Sequence, residues 1–150
     1  MRTIAVATLA LCLATLPASA AEKLTGPIPA KVTKIRDGDT LEVTAHIWIG
    51  VRMEVAIRID GIDTPEVRGK CQREKDMAAQ ASALMNTLIT KPMVTLFDIK
   101  NDMYAGRALA RVVTADGTDV GKEMIRQGLA RPYNGDTKQT WCATGTVSRP

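Results

Sequence analysis

A nearly regular alternation of apolar and polar residues over positions 41–59 restricts the possible folds of this chain more than any other pattern in it. The apolar side chains fall on every second residue, at Leu41, Val43, Ala45, Ile47, Ile49, Val51, Met53, Val55, Ile57 and Ile59. Polar residues such as Glu42, His46 and Arg58 occupy positions between them. Successive side chains of a strand point to opposite faces, so this period predicts two half-buried strands that turn near Gly50.

Weaker signals place the remaining elements along the chain. A strand is predicted at residues 31–35, followed by a turn at Asp37-Gly38. The helical spacing of Met77, Ala81, Leu84, Met85 and Leu88 predicts a helix that stops at Lys91-Pro92. Residues 94–99 and 108–114 are predicted strands, and a short helix is predicted between an N-cap at Asp119 and a stop at Gly128.

This order of elements predicts the fold class. Three strands, a helix, two strands and a helix are typical of a five-stranded OB-fold barrel, which is mostly β with two to three α-helices (α+β). The chain has 150 residues and no internal repeat, which favours one domain. We place that domain at residues 31–134, after an extended lead-in at 21–30 and before an aperiodic tail at 135–150.

Residues 1–20 have the pattern of an export signal. Arg2 precedes an almost unbroken apolar run at positions 4–16, and Ala18-Ser19-Ala20 supplies small residues for cleavage. A membrane anchor is the alternative, but the run is shorter than the roughly 20 residues needed to span a bilayer. We therefore predict a cleaved signal peptide, an exported protein that is periplasmic or secreted, and no membrane span after cleavage.

Charge gives only a weak indication of a partner. The chain carries 20 basic and 16 acidic residues, and loss of the signal would remove only Arg2, which leaves a net charge of +3. A mild basic excess suits a polyanion such as nucleic acid without establishing one.

Two cysteines, Cys71 and Cys142, lie outside the predicted signal. In an exported protein such a pair predicts a disulfide. It would close a loop of about 70 residues and stabilise the fold by roughly 4 kcal/mol on the chain-entropy estimate. Zinc is a poor alternative, because two cysteines and the single His46 fall short of four ligands.

Three carboxylates form a candidate metal site. Asp63 and Glu66 flank Thr64-Pro65 directly after the third predicted strand, and Asp39 follows the first turn. Carboxylates brought together repel one another unless a cation holds them, and an oxygen cluster suits calcium or magnesium. The alternative is that Asp39 only completes a turn and that Thr64 to Glu66 only begin a helix.

Two arginines could bind a phosphodiester beside these acids. Arg58 lies on the polar parity of its strand, and Arg107 follows a glycine-containing loop and begins another strand. Guanidinium groups match phosphate oxygens and stabilise charge that develops on them. The alternative for Arg58 is a solvated arginine on its strand.

Taken together, these motifs resemble the staphylococcal nuclease (thermonuclease) family. The resemblance covers about residues 31–134 and consists of Asp37 to Thr40, Arg58 to Glu66, Asp102 to Arg107 and Arg126 to Ala130 in the family's order. It implies one Ca²⁺ ion held by Asp39, Asp63 and the carbonyl of Thr64. It further implies Arg58 and Arg107 on the scissile phosphate, and Glu66 as the base for the attacking water.

The resemblance also implies the substrate and the products. A monomeric enzyme would hydrolyse DNA and RNA by in-line attack and leave 3′-phosphates. Tyr104 and Tyr133 correspond approximately to positions that contact the nucleotide, and stacking on a base tolerates any sequence. The alternatives are a non-catalytic OB-fold module that binds nucleic acid and an envelope protein that uses the barrel for protein contacts.

Two departures from the family pattern affect these expectations. Ala105 and Gly106 stand where the family usually has one residue between Tyr104 and Arg107. A glycine can absorb an extra residue as a bulge, so we expect Arg107 to reach the site. The hairpin between the second and third strands is also longer, with an extension at residues 46–49 that either widens the groove or packs an edge.

Overall fold

The structure is a computed structural model that describes residues 22–104 and 106–142, so the predicted signal peptide lies outside the described part. The first half contains β1 (Lys23–Leu24), β2 (Ile28–Ile35), β3 (Thr40–Trp48), β4 (Val51–Ile59) and β5 (Ile62–Asp63). The second half contains α1 (Gln72–Leu88), β6 (Met93–Asn101), β7 (Arg107–Thr114), α2 (Val120–Arg126) and β8 (Arg131–Pro132). Neither helix combines the length and the apolar character that a membrane crossing requires.

Five strands close into a barrel. β2, β3 and β4 form an antiparallel meander, β7 adds to β4 in parallel, and β6 pairs with both β7 and β2 to close the ring. The short β1 extends the sheet beside β6, and β5 and β8 form a separate two-stranded ribbon. The predicted five-stranded OB-type barrel with α-helices is therefore confirmed, with two helices in the described residues.

The barrel interior is filled by aliphatic residues of the alternating strands. Leu41, Val43, Ile57 and Ile59 are almost fully buried. The two helices cover the barrel with a second set of buried side chains, which includes Ala81, Met85, Val120 and Met124. Burial of these residues is the main force that holds the fold together.

The outer half of the β3–β4 hairpin departs from the predicted half-burial. The main-chain pairing of β2 with β3 ends at Ala45, and β7 pairs with β4 only from Ala56 onward. Residues 46–54 therefore project beyond the barrel, and Trp48 is 76% exposed. The alternation of a strand does not encode where its neighbours end.

The ends of α2 agree with the residues that predicted them. Asp119 caps α2, since its Oδ1 accepts a hydrogen bond from the backbone N–H of Lys122 at 3.1 Å. Gly128, with φ of +71°, follows that helix as predicted. β2 begins at Ile28 rather than at Lys31, because part of the lead-in pairs with β6.

Candidate active site

Asp39 lies immediately before β3 and is 4% exposed. Its Oδ2 accepts a hydrogen bond from Nη1 of Arg58 at 2.5 Å, and its Oδ1 accepts one from Oγ1 of Thr40 at 2.8 Å. By the alternation of β3, Asp39 would lie on the same face as the buried Leu41. Because Asp39 precedes the strand, its polar side chain is not forced into the core. The carboxylate faces Arg58 on the neighbouring strand rather than the apolar core.

Burial raises the pKa of the Asp39 carboxyl above its usual value, because a carboxylate removed from water loses solvation. The positive charge of Arg58 opposes this shift without cancelling it, and nearby Asp37 adds to it. The site therefore favours a cation close to Asp39.

Arg58 and Arg107 lie on the same face of neighbouring strands. In the parallel pairing of β4 with β7, Arg107 is opposite Ala56 and Leu109 is opposite Arg58. Residues two apart on a strand share a face, so both guanidinium groups extend toward one side. Both arginines line a single groove of about 720 Å³.

Arg107 is oriented by the loop that precedes it. Its Nε donates a hydrogen bond to Oδ2 of Asp102, and its guanidinium lies 4.9 Å from the ring centroid of Tyr104. Gly106 has φ of +78°, a left-handed conformation that residues other than glycine rarely adopt. Ala105 lies outside the described residues, but Arg107 begins β7 and lines the groove.

The acidic loop begins in the ribbon formed by β5 and β8. Asp63 pairs with Arg131 across this ribbon, and both Asp63 and Thr64 are buried. Glu66, in contrast, has an exposed side chain and lines the groove. The rigid ribbon thus fixes Asp63, while the following turn presents Glu66 to solvent.

Lys138 in the C-terminal tail connects these two carboxylates. Its Nζ lies 2.8 Å from Oδ1 of Asp63 and 2.9 Å from Oε1 of Glu66. Burial alone would lower the pKa of Lys138, but hydrogen bonding and attraction from the two acids outweigh it and raise the pKa. No sequence pattern indicates this contact, because the tail has no periodicity and is remote from both acids in the chain.

The tail is tied to the start of α1 by the predicted disulfide. Cys71 and Cys142 are bonded across 71 positions of sequence, with their Cα atoms 5.9 Å apart. Trp141, next to Cys142, is buried, and its indole contacts Asp63. No sequence pattern indicates this hydrogen bond to a predicted metal ligand.

The structure gathers the predicted site residues around one groove with a smaller neighbour. The main groove is lined by six of them, namely Asp39, Arg58, Glu66, Tyr104, Arg107 and Tyr133. Asp63 and Tyr133 line an adjacent hollow of about 290 Å³. Thr64 is buried directly after Asp63.

The donor set fits a hard cation. Oδ1 of Asp63 is buried and lies 2.8 Å from the ammonium of Lys138, so a positive charge already faces this oxygen. Asp39 supplies a second buried carboxylate, and oxygen donors of this kind suit calcium.

The carboxylates are not packed into a tight cage. Asp39, Asp63 and Glu66 do not form a group whose oxygens all lie within 4.8 Å of one another. A group that does meet this condition in the described residues is Cys71, Glu74 and Cys142, but its two sulfurs are joined in the disulfide and cannot act as thiolates.

The closed barrel makes this chain an OB-fold protein. Its groove is lined by two arginines, Arg58 and Arg107, and by the buried Asp39. Residues 56–143 match the family described as "Staphylococcal nuclease homologue". The chain belongs to this family.

Three named relatives agree with this membership. An "Uncharacterized endonuclease" of Escherichia coli O157:H7 is 33% identical over 110 residues, which cover 73% of this chain and 64% of the relative. An identically named protein of Escherichia coli matches to the same extent. A "Probable endonuclease LCL3" of the fungus Verticillium alfalfae is 34% identical over 90 residues, which are 58% of this chain but 31% of that protein. The chain thus matches less than two thirds of the length of each relative.

Proposed function

We propose that this protein is an exported, calcium-dependent nuclease that hydrolyses phosphodiester bonds of DNA and RNA as a monomer. The observation that carries the proposal is the placement of Arg58 and Arg107 on one face of neighbouring strands, in the groove that also contains Asp39 and Glu66. Family membership and the endonuclease names of the relatives support the same activity.

Asp39, Asp63 and the carbonyl oxygen of Thr64 would hold one calcium ion. When bound, the ion would act as a Lewis acid on the phosphate and as a template for the reacting groups. The two aspartates are suited to this role because both are buried and Oδ1 of Asp63 already faces a positive charge, that of Lys138.

The arginines would bind and stabilise the reacting phosphate. Arg58 and Arg107 now donate to Asp39 and Asp102, so each guanidinium is held at the groove by an acid before substrate arrives. A guanidinium can bind a phosphate and a carboxylate with different N–H groups, since it has five donors. Charge that develops on the phosphate oxygens would be stabilised by both side chains.

Glu66 would accept the proton of the attacking water. In-line attack forms a bond from the water oxygen to phosphorus and breaks the bond from phosphorus to the 5′-oxygen. The leaving 5′-oxygen takes up a proton, and the other fragment keeps a 3′-phosphate. Glu66 has an exposed side chain at the groove, where water can reach it.

Two tyrosines would contact the bases. Tyr104 is exposed at the groove, and Tyr133 lines it from the segment after β8. Base stacking on aromatic rings is tolerant of sequence, so we expect weak base preference.

The deciding experiment is a cleavage assay with purified protein. Plasmid DNA and a structured RNA are incubated with calcium, with magnesium, or with excess EDTA, and the product ends are analysed for 3′-phosphate. We expect cleavage of both substrates in calcium and none in EDTA. Binding without cleavage in calcium would show a non-catalytic OB-fold module instead.

Export is tested separately. The complete chain is expressed in a Gram-negative host, and the periplasmic fraction is analysed by N-terminal sequencing. We expect a product that begins at Ala21, after the predicted signal. An intact N-terminus in the cytoplasm would contradict export without bearing on the chemistry.

A further inference from the structure

Trp141 contacts one carboxylate oxygen of Asp63. Its indole Nε1 donates a hydrogen bond to Oδ2 at 3.1 Å, between residues 78 positions apart in the chain. Trp141 is 6% exposed and Asp63 is 4% exposed. A hydrogen bond to a buried carboxylate is among the stronger contacts in a protein, because water does not compete for it.

The tryptophan is itself held in place from several directions. The guanidinium of Arg131 lies 3.8 Å from the centre of its ring, and Nη1 of Arg131 donates to the backbone carbonyl of Thr140 at 3.0 Å. Cys142, the next residue, is bonded to Cys71. These contacts fix the direction from which the indole N–H approaches Asp63.

The contact leaves the two oxygens of Asp63 in different states. Oδ2 accepts the hydrogen bond of the indole, whereas Oδ1 lies 2.8 Å from the ammonium of Lys138. Rotation of the carboxylate is therefore restrained, with Oδ1 presented to a cation.

We infer that Trp141 is a positioning residue that orients Asp63 for the calcium ion, and that the disulfide-anchored tail is thereby part of the metal site. This inference rests on the proposed calcium-dependent function. Trp141 touches neither substrate nor the reacting atoms in this scheme and acts through Asp63. Loss of an outer partner of a metal ligand typically weakens metal binding by about 10- to 100-fold.

The direct test compares two matched substitutions. Trp141→Phe removes the indole N–H and keeps an aromatic ring, while Trp48→Phe makes the same change in the exposed hairpin. Calcium dissociation constants are measured by calorimetry without substrate. We expect Trp141→Phe to bind calcium about tenfold more weakly than Trp48→Phe.

A purely structural role is distinguished by stability in EDTA. In EDTA, Trp141→Phe should unfold at a lower temperature than Trp48→Phe, because Oδ2 of Asp63 loses a buried donor, but it should be folded at the temperature of the calcium titration. If Trp141→Phe does not fold, 3-benzothienylalanine at position 141 preserves the shape of the indole and removes only the N–H. Calcium affinity within twofold of Trp48→Phe in the folded variant would overturn the inference and leave the nuclease proposal intact.

NMR gives a second readout on the unmodified protein. The chain contains two tryptophans, Trp48 and Trp141, so its spectrum should show two indole N–H signals. Calcium should shift the Trp141 signal and leave that of Trp48 in place; an unshifted Trp141 signal at calcium saturation would overturn the inference. If calcium shifts the Trp141 signal and Trp141→Phe weakens calcium binding, but no substrate is cleaved, the role of Trp141 is supported and the nuclease proposal is refuted. If the protein neither binds calcium nor cleaves, both proposals are refuted.

Discussion

Nη1 of Arg58 lies 2.5 Å from Oδ2 of Asp39, in a pair that is largely buried between β3 and β4. The register places Thr40 opposite Arg58, so the carboxylate just before β3 meets the guanidinium near the end of β4. This contact joins the predicted metal ligand to the predicted phosphate-binding residue. A change at either residue should consequently affect both stability and activity.

Arg58→Ala should reduce turnover on DNA by at least about 100-fold, since a preorganised donor to the transition state is lost. It should also lower the unfolding free energy in EDTA by on the order of 3 kcal/mol, because Asp39 is left buried without its partner. Calcium should restore part of that stability. Steady-state kinetics and urea unfolding measure the two effects.

Arg107→Ala should reduce turnover to a similar degree, because the second phosphate contact is removed. Arg52→Ala is the matched control, since Arg52 lies in the projecting hairpin, outside the residues that line the groove. Normal turnover in Arg107→Ala would show that the extra residue before Arg107 has taken it out of the catalytic site.

The raised pKa of Asp39 predicts a pH dependence of stability in calcium-free protein. The folded chain holds a proton on this carboxyl at a pH where the unfolded chain has released it. The contribution of Asp39 therefore stabilises the fold below its ordinary pKa of 3.8 and is lost as pH rises through the raised folded value. Urea unfolding measures the unfolding free energy of the wild type and of Asp39→Asn from pH 3.8 upward. The wild type should lose more stability than Asp39→Asn as the pH rises.

Calcium should reverse this behaviour, because the ion favours the charged carboxylate. A ¹³C titration of the Asp39 carboxyl in EDTA and in calcium tests the prediction directly. Titration at or below the ordinary value in EDTA would show that Arg58 outweighs burial.

Lys138→Gln should increase calcium affinity by a few-fold, because Lys138 and the ion are attracted to the same carboxylates of Asp63 and Glu66. Lys138 is substantially exposed, so the gain should not exceed about fivefold. Lys100→Gln is the matched control, as Lys100 lines the groove but pairs with Asp60. Weaker calcium binding in Lys138→Gln would mean that the lysine orders the acids rather than competing with the ion.

Replacement of Cys71 and Cys142 by serine should lower the unfolding free energy by about 4 kcal/mol, because a loop of this length gains entropy in the unfolded chain. Urea unfolding of the oxidised wild type and of the double variant measures the loss. Dithiothreitol should destabilise the wild type and leave the double variant unchanged. Equal stability of the two proteins would contradict a structural role for the disulfide.

Much of the barrel could be predicted because its main signal is local. The alternation of residues 41–59 predicted β3 and β4. It also predicted that Arg58 points away from the core. The same alternation wrongly predicted half-burial for the outer part of the β3–β4 hairpin. Those residues are exposed because β2 and β7 do not pair with them. The extra pairing of the lead-in with β6 was missed for a related reason, because proline-rich extended segments carry no alternation.

The closed barrel, the disulfide and the set of acids and arginines could be inferred from the amino-acid sequence, since each depends on residue type, local spacing or motif order. The contacts among the acids, the arginines and the tail depend on the folded chain. The contacts of Asp63 with Lys138 and Trp141 join a buried ribbon to an aperiodic tail, and no local pattern encodes a contact across such a distance. They form because the chain closes on itself and the buried carboxylate must be satisfied by whatever donors the fold brings to it.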